Sequence, residues 1–211
     1  MKPPRLLLTD LYAFSPNRET LGATSYYIIK KTGNILIDSP PWTEENKEFL
    51  KDHGGIKYFY ITHRGAISNQ IKPIYEIFNC EIIIQEQEAY LLPEINVTSF
   101  EKEISLSEET KGIWTPGFSP GSSCLYHNAH GGILFTGRHL LPDQNGDIKP
   151  LQLAKTFHWK RQLNSVKSLS QYFSEDNLEY IIPAANTGFL RGKGLVSNAY
   201  QQLKLISHNK T

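Results

Sequence analysis

Several polar residues stand just beyond apolar runs, where a side chain can leave the core and meet a ligand. They are Asp38 in ILIDSP (35–40), His63 and Arg64 in YITHRG (60–65), and Arg138 and His139 in LFTGRHL (134–140). An imidazole can carry a proton or ligate a metal, a guanidinium can hold an anion, and a carboxylate can orient either. These form the candidate cleft set. His63 has two readings, a hydrogen-bonded residue at a strand end or part of a working site, and its type and position leave both open.

Other reactive side chains have plainer readings. Ser122, Ser123 and Cys124 in GSSCLY lack the G-x-S-x-G elbow that exposes a serine nucleophile, and Cys124 alternates with apolar neighbours as in a core strand. His127 and His130 flank the loop YHNAHGG and read as solvated turn residues. His158 precedes a helical pattern and reads as a cap or packing residue. RGKG (191–194) lacks the preceding strand and glycine spacing of a phosphate loop.

The elements that must position these groups follow from local pattern. RLLLTDLYAF (5–14), ATSYYIIKK (23–31) and the segment after Thr32-Gly33-Asn34 read as strands, the last entered through a hairpin turn. TEENKEFLKDH (43–53) opens on a threonine cap with acidic first-turn residues and stops at Gly54-Gly55, a helix signed at both ends. A strand at 56–62, a short helix at 70–78 and a strand at 80–85 predict parallel pairing through right-handed crossovers. Short strands separated by glycine turns follow in GIWTPG, SSCLYH and GGILFTG. Trp159, Leu163, Val166, Leu169 and Phe173 share helical spacing, LEYIIPA (178–184) is a buried strand, and LVSNAYQQLKLIS (195–207) a closing helix. The order predicts two similar halves, each a sheet covered by helices.

The chain of 211 residues suits one well-buried domain, expected to span 1–211. Lys plus Arg is 22 against Asp plus Glu 21, which gives no electrostatic reason to expect nucleic acid as a partner. No apolar run reaches membrane-spanning length, so membrane insertion is not expected. The two cysteines, Cys80 and Cys124, match no zinc or redox spacing, and buried thiols in a reducing, cytoplasmic setting are the expectation.

Read in order, ILIDSP, YITHRG, TPGFSPGSSCL (115–125), LFTGRHL and YIIPA (180–184) resemble the signature segments of the metallo-β-lactamase-fold superfamily. The likeness covers roughly residues 20–190. It implies an α/β (α+β) fold of the αββα four-layer sandwich type, with two mixed sheets covered by helices on their outer faces. Hydrolases of that superfamily hold one or two metals between the sheets. Here the ligand positions are degenerate. After Thr62-His63, where active members continue x-His-x-Asp-His, the chain has Arg64, Gly65, Ala66, Ile67 and Ser68. A divergent branch with a His-Arg-Asp-Asp-x-x-Asp-His pattern fits the register too, with Gly65, Ala66, Asn69 and Gln70 in place of its ligands. Phe118 occupies a histidine position, Arg138 the bridging aspartate position, and Ala185 the place of the histidine in Pro-Gly-His.

A catalytic zinc centre needs about three protein ligands and an open position. His63 alone cannot supply them, and Arg138 brings a charge it cannot shed. The expectation is therefore a pseudo-hydrolase that binds a small anionic ligand or a protein and carries no cofactor. The alternative is a divergent hydrolase of an ester, thioester or phosphodiester, which uses zinc or iron through unorthodox ligands or works without metal through His63, Arg64 and Arg138. The resemblance also brings Asp38 and Arg138 to one rim, either as an ion pair or, with Arg64 and His63 joining Arg138, as an anion pocket.

Overall fold

The computed structural model describes residues 3–208, which divide into two compact units, the first running to Phe100 and the second starting at Glu101. The first unit carries a seven-stranded sheet whose spatial order is the chain order: β1 (Arg5–Leu8), β2 (Leu11–Ala13), β3 (Tyr26–Ile28), β4 (Ile35–Ile37), β5 (Tyr58–Ile61), β6 (Glu81–Gln85) and β7 (Val97–Phe100). β1 to β4 pair antiparallel and β4 to β7 parallel. The run 5–14, expected as one strand, is two strands folded about Thr9-Asp10, with Arg5 opposite Ala13. Nothing in its apolar pattern marks that reversal.

The parallel pairs are joined by helices, as crossovers require. α1 (Glu44–Asp52) starts where the Thr43 hydroxyl accepts from Asn46 N, and it ends at Gly54 and Gly55, both at positive φ, with Gly55 N donating to Leu50 O. α2 (Ile71–Phe78) closes on Asn79 in the left-handed region. α3 (Glu86–Ala89) is a single turn between β6 and β7. Leu50, Phe59, Ile61, Ile71, Ile74, Ile82 and Ile84 join in one apolar core for this unit.

The second unit has a five-stranded sheet built from β8 (Glu103–Ser107), β9 (Thr110–Trp114), β10 (Ser123–His127), β11 (Ile133–Gly137) and β14 (Tyr180–Pro183), in the order β14-β11-β10-β9-β8. β11 and β14 are parallel and the other pairs antiparallel. A small ribbon pairs β12 (Leu141–Pro142) with β13 (Ile148–Lys149). α4 (Trp159–Tyr172) and α5 (Ala199–His208) complete it. Val166, Leu169, Phe173, Leu134, Ile181, Ala199 and Leu203 belong to its core. Two mixed sheets with helices agree with the expected fold class. α3, β7, β8, β12 and β13 are not expected from the local pattern.

Candidate functional site

In the first unit the parallel register of β4 and β5 places Ile37 opposite Tyr60, so Asp38 and Thr62 leave the sheet side by side. Asp38 adopts φ +60, unusual for a residue with a side chain, and its N–H donates to Tyr60 O at 2.9 Å. Its carboxylate receives Thr62 N at 2.8 Å, and Thr62 Oγ1 lies 2.9 and 2.7 Å from its two oxygens. Thr62 Oγ1 is also 2.8 Å from His63 Nδ1. The hydroxyl has one proton and an ionised carboxylate can only accept, so that proton goes to Asp38 and His63 Nδ1–H must donate to the hydroxyl. The relay fixes the tautomer: in neutral His63 the lone pair is on Nε2. All three side chains are buried. The charge of Asp38, after burial itself, helps push the Tyr26 hydroxyl well above its ordinary range.

The turn that follows is held by its own backbone and by short polar residues. Ser39 Oγ donates to Ala66 O, and Ser68 Oγ accepts from Gln70 N at the start of α2. A Cβ on Gly65 would sit 3.1 Å from His63 Nε2, so the missing side chain makes room for the imidazole ring. Arg64 Nε donates to Glu88 Oε1 at 3.1 Å, and the Glu88 side chain is fully buried in α3. The guanidinium expected as part of an anion pocket is thus engaged by a carboxylate 24 residues away, which no local pattern singles out.

In the second unit, β9 and β10 close on the turn 115–122, with Thr115 N donating to Ser122 O. The turn is strapped to the start of α4: Ser165 Oγ donates to Pro116 O, His158 N to Gly117 O and Phe157 N to Phe118 O. Phe118 is buried, with an apolar ring where the resemblance calls for an imidazole. The parallel pairing of β11 with β14 brings Pro183 opposite Gly137, and Ala184 N donates to Gly137 O. Arg138 and the buried Ala185 therefore follow strand ends that lie next to each other.

His139 is fully buried, and neither ring nitrogen has a hydrogen-bond partner among the described residues. Burial alone drives its pKa down to about 3, so the ring is neutral at ordinary pH. Its carbonyl accepts from Gln162 Nε2 at 2.8 Å. Asp38 belongs to the first unit and Arg138 to the second, and within its own unit Asp38 accepts from Thr62 N and Oγ1.

The remaining histidines divide. His127 is not a solvated turn residue: it ends β10, is buried, and its Nδ1 lies 2.9 Å from the hydroxyl of Thr110, the residue opposite it on β9. His130 does stand exposed in the loop, and His158 caps α4 by accepting Arg161 N on Nδ1. Ser122, Ser123 and Cys124 are core residues. Burial raises the Cys124 thiol to about 12 and the Cys80 thiol to about 11.

No group of three or more His, Cys, Asp or Glu side chains able to hold a metal ion occurs among the described residues. Phe118, Ala185, Gly65 and Ile67 offer no donor atom, and a guanidinium repels a cation. This donor set does not fit a zinc or iron centre of the hydrolase type.

No family model and no curated protein sequence matches the chain. Solved structures do. A metallo-β-lactamase family protein from Thermus thermophilus is 16% identical with a TM-score of 0.66, over 96% of this chain and 79% of that one. A quorum-quenching N-acyl homoserine lactone lactonase is 18% identical with a TM-score of 0.63, over 85% and 92% of the two chains. VMB-1 is 13% identical with a TM-score of 0.70, over 97% and 95%. At these identities the likeness defines the fold alone: the chain has the metallo-β-lactamase fold.

Proposed function

We propose that this chain is a pseudo-hydrolase, a metallo-β-lactamase-fold protein that works as a binding or scaffold module without a metal centre. The observation that carries the reading is the donor inventory. Of the positions to which the resemblance assigns metal ligands, only His63 keeps its imidazole; at the others stand Gly65, Ile67, Ser68, Phe118, Arg138 and Ala185, which together add one serine hydroxyl and a cation. The near balance of charge favours a small anionic ligand or a protein over nucleic acid as partner. Among the described residues no helix is long and apolar enough to cross a membrane. Two buried thiols, neither in a disulfide among the described residues, support a reducing, cytoplasmic setting.

A second reading, metal-free hydrolysis of an ester, thioester or phosphodiester, draws support from the Asp38-Thr62-His63 relay. It orients His63 and leaves its basic nitrogen on the side away from Asp38. Against it, Arg64 is already paired with Glu88.

The test is elemental analysis of protein made in zinc- and iron-supplemented medium, followed by a screen of the same three ester classes. The pseudo-hydrolase reading expects substoichiometric metal and no turnover. About one metal per chain, removed by a chelator together with an activity, overturns it. Turnover that survives chelation and is lost in His63→Gln selects the metal-free hydrolase.

A further inference from the structure

The second unit carries a groove of about 510 Å³ between one face of α4 and the end of its sheet. Arg161, Asn164, Ser165, Ser168, Leu169 and Tyr172 line it from the helix, a spacing of three and four residues that marks a single stripe. Opposite them stand Ile113, Trp114 and Pro116, with Lys102 and Glu103 at the start of β8. Among the described residues β8 is the last strand in its sheet. None of the candidate cleft residues lines the groove.

The lining is a rigid apolar slot with a cationic mouth. Trp114 is pinned by Nε1 donating to Pro120 O at 2.9 Å. Tyr172 accepts from Lys111 Nζ at 2.7 Å and donates to Glu103 Oε2 at 3.3 Å, so both of those charges are occupied with the ring that forms one wall. Lys102 and Arg161 are exposed, and neither has an ion pair among the described residues. The side-chain amide of Asn164 is likewise uncommitted. A volume of this size suits a small molecule, and apolar walls with a few convergent polar groups are the usual composition of such a site.

We propose that this groove binds a small aromatic carboxylate, its ring against Trp114, Pro116 and Leu169 and its carboxylate on Arg161 and Lys102. A planar guanidinium matches a carboxylate in two parallel hydrogen bonds, and an aromatic body fits walls built from an indole, a proline and a phenol. The other charged side chain of the lining, Glu103, accepts from Tyr172 and would oppose an anion, so the preference for a carboxylate belongs to these two cations.

Isothermal titration calorimetry with 2-naphthoate as the probe, and 2-naphthylmethanol as its uncharged counterpart, tests this on the full chain at physiological salt. Saturable one-site binding of naphthoate is expected, about tenfold or more tighter than the alcohol. In the double variant Lys102→Gln/Arg161→Gln that preference disappears while weak binding of both remains. Ser168→Trp, at an exposed position, fills the slot and abolishes both, and Asn164→Phe serves if Ser168→Trp melts early. The proposal is overturned if naphthoate gives no saturable heat, if the two probes bind alike, or if the filling variants bind as the parent does. Sedimentation of the same proteins covers the other occupant: a dimer of the parent chain lost in Ser168→Trp assigns the groove to a second copy and overturns the small ligand.

Discussion

Gly117 lies directly against Gln162: a Cβ added to the glycine would stand 2.3 Å from both the backbone nitrogen and Cα of Gln162. Its φ of +145 also lies where only glycine is at ease. This contact is how the turn 115–122 reaches the first turn of α4, and the backbone bonds from Phe157 and His158 depend on it. Gly117→Ala must therefore move the helix or the turn, and is expected to cost at least about 3 kcal/mol in urea unfolding. Gly188→Ala, with nothing within 4 Å, is the control and should change stability by less than about 0.5 kcal/mol. Equal effects of the two would show that the turn yields freely.

Thr62 is the joint between Asp38 and His63. Thr62→Val keeps the shape and removes the hydroxyl, leaving a buried carboxylate and a buried imidazole N–H each short of one partner. A loss of about 2–3 kcal/mol is expected, with Thr62→Ser within about 1 kcal/mol of the parent. Thermal denaturation of the two variants side by side reads this, and a Thr62→Val protein as stable as the parent would show that the relay contributes nothing to the fold.

The buried His139 ring has a pH signature of definite sign. Its pKa falls from 6.5 to about 3 on folding, so between those values the unfolded chain holds a proton that the folded chain does not. Its contribution is fully present above pH 6.5 and is lost as pH falls toward 3, with a slope of up to about 1.4 kcal/mol per pH unit. His139→Leu should flatten the acid limb of stability by close to one proton. Chemical denaturation at pH 4, 5, 6 and 7 measures it, and an unchanged slope would mean that the ring is charged or hydrated in the fold.

Cys80 and Cys124 should both resist a thiol reagent in the native state at pH 8, since burial holds each thiol protonated and covered. Ellman's reagent is expected to titrate two thiols per chain only after unfolding. Rapid native labelling of either one would show that its strand opens far below the global unfolding energy.

Chelation should leave the melting temperature within about one degree of the untreated protein, because among the described residues there is no donor cluster whose repulsion an ion relieves. A fall of several degrees, reversed by zinc, would point to a bound ion that supports the fold.

What could be read from the residues alone is what short stretches decide among themselves. The Thr43 cap, the Gly54-Gly55 stop, the turn at Thr32-Gly33-Asn34 and the stripe through Val166 and Leu169 depend on neighbours within a turn or two, and each stands in the structure as expected. The missing donors at Phe118, Arg138 and Ala185 were equally legible, since a side chain's chemistry does not depend on its fold. Partners were not. Glu88 meets Arg64 from 24 residues away, Thr110 meets His127 from 17, and Gln162 holds the carbonyl of His139 from 23. Such pairs are set by strand register and helix docking, which no local pattern encodes, and burial then fixes their protonation. That is why His127 reads as a loop histidine in sequence and is a core one in the fold, and why His139 looks available for chemistry until the surrounding chain shuts water out.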